Sequence, residues 1–312
     1  MRKGIAILFV SLLVACGGGT TVPSGSIPPR DIAVMSNKQI TGMMTRIVVD
    51  ENVLHLDDVG LYALFEDDVS KVKDISFGVG DYGKVEKIVL EDFELGNDVG
   101  VYDIEAVRKG EANTFLVVYN ENSGGIRGEI TYNSLGKELG LTYADFGTLD
   151  VYVERLSDGI EIRDKPFFAG GYKIKQISKE EINTQDRLVF SGKAIGRVTA
   201  TSDVETNEVD VLELAGDAEL TFYDGVEQIK ANFDNWYDVD VECQGSNVQS
   251  VTLKNYSEDN PTGKDEMFGM EKPTVTDMKT NYYGDGVPTE AVGFIGLEDE
   301  NVNAIINFGV KK

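Results

Sequence analysis

Histidine, tryptophan and cysteine are almost missing from this chain: one, one and two among 312 residues. The lone histidine, His55, sits between Leu54 and Leu56 and cannot build a zinc site without thiolate or carboxylate partners. It reads as a packed or surface side chain. Two cysteines, Cys16 and Cys243, give no disulfide framework. With Cys16 assigned below to lipid, Cys243 has no partner within the chain, and the folded part depends on its own cores, which its size allows. Positive charge is also scarce, with 29 Lys and Arg against 54 Asp and Glu, for a net charge of −25. The acidic residues are spread along the whole length. Such a field repels nucleic acid and anionic headgroups, so nucleic acid is not an expected partner. A heavily solvated surface explains the charge better than an acidic binding face. Helical patterns are few, and the clearest is short, around Asn133 to Gly140, ending at Gly140.

What is present begins at the first residue. Met1-Arg2-Lys3 precede a stretch from Gly4 to Val14 without a charge. That run of about ten apolar residues is half of what a bilayer span needs and has the build of a secretory signal. Leu13-Val14-Ala15-Cys16 places a small residue directly before a cysteine and resembles the lipobox of bacterial lipoproteins. Cleavage there removes residues 1–15, leaves Cys16 at the amino terminus with lipid on its thiol, and takes the net charge to −27 as Arg2 and Lys3 leave. An ordinary signal peptide with an incidental cysteine is the alternative. Residues 16–30 continue as Gly17-Gly18-Gly19, then Pro23, Ser24, Gly25, Ser26, Pro28 and Pro29, the composition of a tether. A lipid on a tether holds a soluble domain at a membrane surface. Gly17, where Asp would favour retention at the inner membrane in the enteric sorting pattern, favours the outer membrane.

The remainder reads as mainly β. Leu149, Val151 and Val153 alternate with Asp150, Tyr152 and Glu154. Val209 and Val211 alternate with Glu208 and Asp210, and the phase flips at Leu212 and Leu214, as a bulge between the valines and leucines would produce. Period two over many segments means half-buried antiparallel strands. Asp158-Gly159 and Asp224-Gly225 suit type I′ hairpin turns. "AELTFYDGVEQIKANF" predicts a hairpin with Leu220 and Phe222 on one face of its first arm and Ile229, Ala231 and Phe233 on one face of its second. The polar stretch "SKEEINTQD" separates two units, a β-rich domain over 31–180 and a second over 186–312. The second holds seven or eight strand candidates, enough for a small antiparallel barrel filled by side chains. Its last strand, Ala304 to Val310, is expected beside its first, which begins near Leu188. Gly293, Gly296 and Gly309 would mark sharp bends at barrel corners.

Several short motifs suggest chemistry. "GVGDYG", Gly78 to Gly83, fits a dinucleotide fingerprint by letter, but the fingerprint needs a helix after it, and Lys84 to Leu90 reads as strand. Asp238, Asp240 and Glu242 share one face of a strand at a spacing wide for calcium, outside any twelve-residue loop. No nucleophile-elbow sequence occurs. The sequence therefore points to a non-enzymatic protein without a cofactor or metal. One segment favours binding: Ser257 to Thr280 is polar yet gathers Met267, Phe268 and Met270. Thioethers beside an aromatic ring suit a recognition patch, or they fold down to plug one end of the barrel. Trp236 and Tyr237 invite the same two readings.

The ending Tyr282-Tyr283-Gly284, Glu290-Ala291-Val292-Gly293 and Phe308-Gly309-Val310-Lys311-Lys312 resembles the barrel ending of the transferrin-binding protein B family of surface lipoproteins. "LTYADFGTLDVY", Leu141 to Tyr152, and "FFAGGY", Phe167 to Tyr172, are similar to two segments of the family's handle domain. The resemblance implies one lobe, a handle domain followed by an eight-stranded antiparallel barrel, where the transferrin receptor itself has two. It implies an outer-membrane protein exposed at the cell surface that binds a protein partner through variable loops, with iron or haem acquisition as a purpose. It also implies delivery by an outer-membrane translocator. It names no ligand and no ligand-contacting residue. A small-molecule carrier of lipocalin type and a structural envelope lipoprotein are the competing readings.

Overall fold

The computed structural model describes residues 39–45, 73–79, 85–94, 101–110, 113–117, 125–157, 159, 161–172, 175–182, 187–203, 208–245, 247–254, 268–299 and 302–312. The signal, Cys16, the tether, His55 and Asp158 lie outside them. The described residues form two antiparallel sheets.

The first sheet holds β1 (Gln39–Thr45), β2 (Lys73–Val79), β3 (Val85–Glu94), β4 (Val101–Arg108), β5 (Thr114–Val117), β6 (Ile126–Ser134), β7 (Ala144–Arg155), β8 (Glu161–Asp164) and β9 (Phe167–Tyr172). Its order is β6-β5-β4-β3-β2-β1-β9-β7-β8, and β6 also pairs with β7, so this handle sheet closes on itself. Leu149, Val151 and Val153 share the enclosed core with Ile88, Leu90, Ile104, Phe115, Ile130 and Tyr132. Between β6 and β7 runs one helical turn, α1 (Gly136–Leu139). Gly140 ends it at φ 72°, in the left-handed region that glycine enters at no steric cost.

The second sheet holds β10 (Gln176–Ile177), β11 (Leu188–Asp203), β12 (Glu208–Tyr223), β13 (Val226–Phe233), β14 (Asp238–Gln244), β15 (Asn247–Lys254), β16 (Thr274–Gly284), β17 (Pro288–Asp299) and β18 (Val302–Lys311). Its order is β10-β16-β17-β18-β11-β12-β13-β14-β15. Eight long strands curl into a barrel, and the two-residue β10 adds to its edge. The last strand does lie beside the first: β18 pairs with β11 from Ser191↔Lys311 to Ala200↔Val302. The Asp-Gly hairpin is also present, with Tyr223 opposite Val226 and with Asp224 and Gly225 at φ 51° and 75°. Leu220, Phe222, Ile229, Ala231 and Phe233 all enter the barrel core.

Three details differ from the sequence reading. Pairing between β11 and β12 is regular through Val211 and Leu212, and the irregularity falls at Thr201/Asp203 instead. The two phases of β12 are its two faces. Leu212 and Leu214 serve the barrel core, while half-buried Val211 lies opposite Thr199 on the outside. Secondly, β15 and β16 lie against each other without sharing a ladder among the described residues. Val251 and Leu253 of β15 pack on the core. Thirdly, Gly309 is required by close approach, not by a bend: a methyl there would overlap the ring of Phe146.

β17 and β18 are buried along nearly their whole length. Ala291, Ile295 and Leu297 with Ala304, Ile306 and Phe308 point into the barrel. Val292, Phe294 and Ile305 pack outward on the handle. A strand covered on both faces reads as a continuous apolar run, not as alternation, which explains "AVGFIGL" and "AIINFGV". Removing residues 302–312 would strip two ladders and half of this double-faced layer. We expect the shortened chain to lose the cooperative thermal unfolding of the barrel followed by near-UV circular dichroism. An unchanged transition would show that β18 is dispensable.

Candidate functional site

The handle and barrel meet across β7 and β9 on one side and β17, β18 and β11 on the other. At the centre is Glu290, only 4% exposed. Its carboxylate accepts the backbone N–H groups of Thr142 (2.5 Å), Tyr143 (2.8 Å) and Ala144 (3.0 Å), where the chain turns into β7. Burial pushes its carboxyl above the ordinary value, and the N–H donors pull it back down. Aromatic rings fill glycine gaps in both directions. Phe146 of the handle covers Gly309 of the barrel, and Tyr283 of the barrel covers Gly171 of the handle. Asn307 Nδ2 donates to the Phe168 carbonyl at 2.7 Å. The guanidinium of Arg197, a buried barrel side chain, stands 5.5 Å from the Phe167 ring centroid and donates to Glu213 at 2.8 and 3.1 Å. The motifs from the end of the barrel and from the handle thus converge on one junction.

The candidate recognition residues fall at the barrel interior. Trp236, Phe268 and Met270 are buried in the barrel core, and the Trp236 indole N–H donates to the Phe268 carbonyl at 3.0 Å. Tyr237 is half-buried with its ring edge-on to Trp236 at 5.4 Å. Met267 lies outside the described residues. The first three side chains form a plug that anchors the segment entering β16.

A second buried carboxylate, Glu227, joins three groups. It accepts from the Tyr282 hydroxyl (2.6 Å) and Lys179 Nζ (2.5 Å), with Cys243 Sγ at 3.4 Å. Lys179 opens a 3-10 turn, Lys179–Glu181, between β10 and β11 of the second sheet. Burial, with Glu227 beside it, pushes the Cys243 thiol up to about 12 and the Tyr282 hydroxyl well above its ordinary value. Neither is a nucleophile at neutral pH.

Asp238, Asp240 and Glu242 alternate on β14 with Val239, Val241 and Cys243. Asp240 accepts from Gln228 at 2.9 Å and lies 3.8 Å from Lys254 Nζ, so cross-strand partners occupy it. Among the described residues no group of donors is arranged to hold a metal. The glycine cluster at Gly78 leads on to β3, a strand, so no helix N-terminus is offered to a pyrophosphate there.

One open trough of about 500 Å³ lies on the outer face of the handle sheet. Glu129, Thr131, Asp150, Tyr152, Arg163 and Lys165 line it. Sequence reading missed it, because residues on three strands meet only through register. The Arg163 guanidinium stands 5.3 Å from the Tyr152 ring centroid, and a hydrogen bond to Glu161 raises the pKa of the Tyr152 hydroxyl. Lys165 Nζ reaches across to Glu213 of the barrel at 3.7 Å.

No family model matches the sequence, and no curated protein matches it either. Solved structures do. The chain is similar to a surface lipoprotein at 12% identity, with 86% of this chain and 98% of that one covered and a TM-score of 0.40. It is similar to transferrin-binding protein B of Haemophilus parasuis Hp5 at 11% identity, covering 88% and 76%, TM-score 0.38. For the isotype 1 protein of that name from serogroup B Neisseria meningitidis, identity is 10%, coverage 88% and 63%, and the TM-score 0.35.

Two outcomes test the junction and the thiol. Glu290→Ala strands three buried N–H groups, and a loss of about 2–4 kcal/mol is expected from urea unfolding; a loss within error would remove Glu290 as the clamp. In a chain starting at Gly17, a Cys243 pKa of about 12 leaves about one thiolate in 10⁴ at pH 8. Iodoacetamide, followed by mass spectrometry, is expected to spare Cys243 until denaturant is added.

Proposed function

We propose that this chain is a non-enzymatic lipoprotein held at the outer-membrane surface by lipid on Cys16, capturing an extracellular protein with loops on a rigid β scaffold. The observation that carries this reading is the filled interior of the barrel. Phe190, Leu220, Phe222, Ile229, Trp236 and Tyr282 occupy the space that a carrier would leave for its ligand. A packed barrel locked to a handle is a pedestal. Recognition on such a scaffold falls to its loops, which tolerate sequence change without loss of the core.

The lipobox, the tether and the acidic surface support the placement. Lipid fixes the module, the tether extends it, and like charge keeps it off anionic headgroups. Iron or haem acquisition, and delivery by an outer-membrane translocator, follow from the family resemblance of the junction motifs. The partner is a protein from the surrounding fluid.

Protease shaving of intact cells, with mass spectrometry of the released peptides, tests the surface placement. Peptides from the barrel are expected in the supernatant, and Cys16→Ala is expected to leave the protein unacylated and off the surface. Full protection in intact cells, with cleavage only after lysis, would favour a structural envelope lipoprotein instead. Affinity capture with the immobilised chain is expected to retain a protein from host fluid or iron-limited medium, and retention of none would remove the receptor reading.

A further inference from the structure

Four of the seven large apolar side chains exposed among the described residues stand at one end of the barrel: Val189 (41%), Tyr223 (53%), Val248 (40%) and Val287 (56%). Strand direction brings them together. Ser191 of β11 pairs with Lys311 of β18, and Leu188 pairs with Phe222. The start of β11, the end of β18 and the β12–β13, β14–β15 and β16–β17 turns therefore share that end. Val189 lies opposite Thr221, which makes it a diagonal neighbour of Tyr223 on the outer wall. Val287 stands on the β16–β17 turn, three strand spacings or about 14 Å away around the wall. Asp224-Gly225 and Asp285-Gly286 supply what these turns need. Neither Tyr223 nor Val287 is required to make them.

The chain enters the fold at this same end. β1 begins at Gln39, and Ile40 pairs with Tyr172. Four residues after Tyr172, β10 pairs with Tyr282 and Tyr283 beside the β16–β17 turn. Gln39 comes 23 residues after Cys16. A flexible linker of that length has an end-to-end distance of about 26 Å, so lipid on Cys16 would hold this end near the bilayer. Charge separates the two ends in the same sense. At the far end, Asp234, Asp238, Glu271, Glu298 and Asp299 stand against Lys254 and Lys272 among the described residues. At the near end, Asp224, Glu180, Glu181 and the carboxylate of Lys312 face the cations of Arg187, Lys311 and Lys312. Asp285 is paired there with Lys175, and buried Glu227 with Lys179. The end with the apolar tips is the less acidic one.

Apolar tips spread around a rim of this width suit a broad, flat partner and not a small molecule in a cleft. Tyrosine favours a membrane–water boundary, where its ring leaves water and its hydroxyl does not. A tether turns such a contact into an intramolecular one, so weak affinity is enough. The net charge of −25 opposes an anionic surface and leaves neutral headgroups as the match. Resting on the lipid reading of Cys16 given above, we propose that this end of the barrel is a membrane-contact surface for neutral lipid, with Tyr223 and Val287 entering the interface. The acidic far end then points outward.

The chain starting at Cys16 is coupled through that thiol to a maleimide-bearing lipid in phosphatidylcholine vesicles with brominated acyl chains. Cys243 is buried and does not compete. Tyr223→Trp, Val287→Trp and Leu116→Trp each add one tryptophan at an exposed position, the last on the handle. Native Trp236, buried at the far end, is the internal reference. Bromine is expected to quench the added tryptophan at 223 and at 287 and to spare those at 116 and 236. No quenching at 223 and 287, or equal quenching at 116, would overturn the contact. Stronger quenching at 223 in brominated phosphatidylglycerol vesicles would overturn its preference for neutral lipid. The coupling is chemical, so these results do not bear on whether cells acylate Cys16, and an unacylated product in cells would leave the vesicle result standing.

Discussion

A single carboxylate, Glu290, joins two β modules that keep separate cores. Where the chain enters β7 under the barrel, the backbone N–H groups of Thr142, Tyr143 and Ala144 take an acceptor from outside their own sheet. Leaving such groups unpaired in a buried layer costs several kcal/mol. Glu290 satisfies all three from the opposite module. The apolar fit lies around it: Phe146 of β7 meets Gly309 of β18, and Tyr283 of β16 meets Gly171 of β9. A carboxylate that accepts from consecutive backbone groups fixes direction as well as distance, so it sets the angle at which the modules dock.

Two other buried carboxylates serve the same junction from either side. Asp145, adjacent to Phe146, accepts from the hydroxyls of Tyr132 and Ser134 and from the N–H groups of Gly136 and Phe146. It ties α1 and the corner before β7 to the handle core. Glu227 ties Lys179, on the turn between β10 and β11, to Tyr282, the neighbour of Tyr283. In a chain so rich in acid, most carboxylates are solvated and replaceable. These three are costly to bury and so stand where several donors converge. Glu290 and Asp145 hold backbone N–H groups, and Glu227 gathers three side chains.

The sequence shows its elements where one face of a strand is wet. Alternation at Leu149 to Glu154, and the hairpin at Asp224-Gly225, could be read directly because polar and apolar positions differ in kind. It hides what depends on a second buried face. The flip from Val211 to Leu212 looked like a bulge, yet it records a regular strand with Val211 on its outer face and Leu212 on its inner one. Gly309 looked like a corner, because a sequence does not say that a ring from 163 positions earlier will rest on it. Burial of Trp236, Phe268 and Met270 was similarly ambiguous, since apolar side chains in a polar loop suit a plug and a patch equally. The trough was illegible for a stricter reason: Glu129, Tyr152 and Arg163 form a row only once the ladders of β6, β7 and β8 are in place.

β7 carries the connection between junction and trough along one face. Its even positions begin as Ala144 and Phe146, packed under the barrel, and continue as Thr148, Asp150 and Tyr152, in the open. The change from apolar to polar along this face marks the place where the barrel stops covering the handle sheet. Lys165 and Glu213 stand at that edge, one from each module. The trough is therefore the uncovered end of the docking surface itself, floored by a strand whose other end Glu290 and Phe146 hold still. A rigid floor keeps the Tyr152 row and the Asp150 row at fixed spacing. The clamp that joins the modules thus also holds the strand that floors this trough.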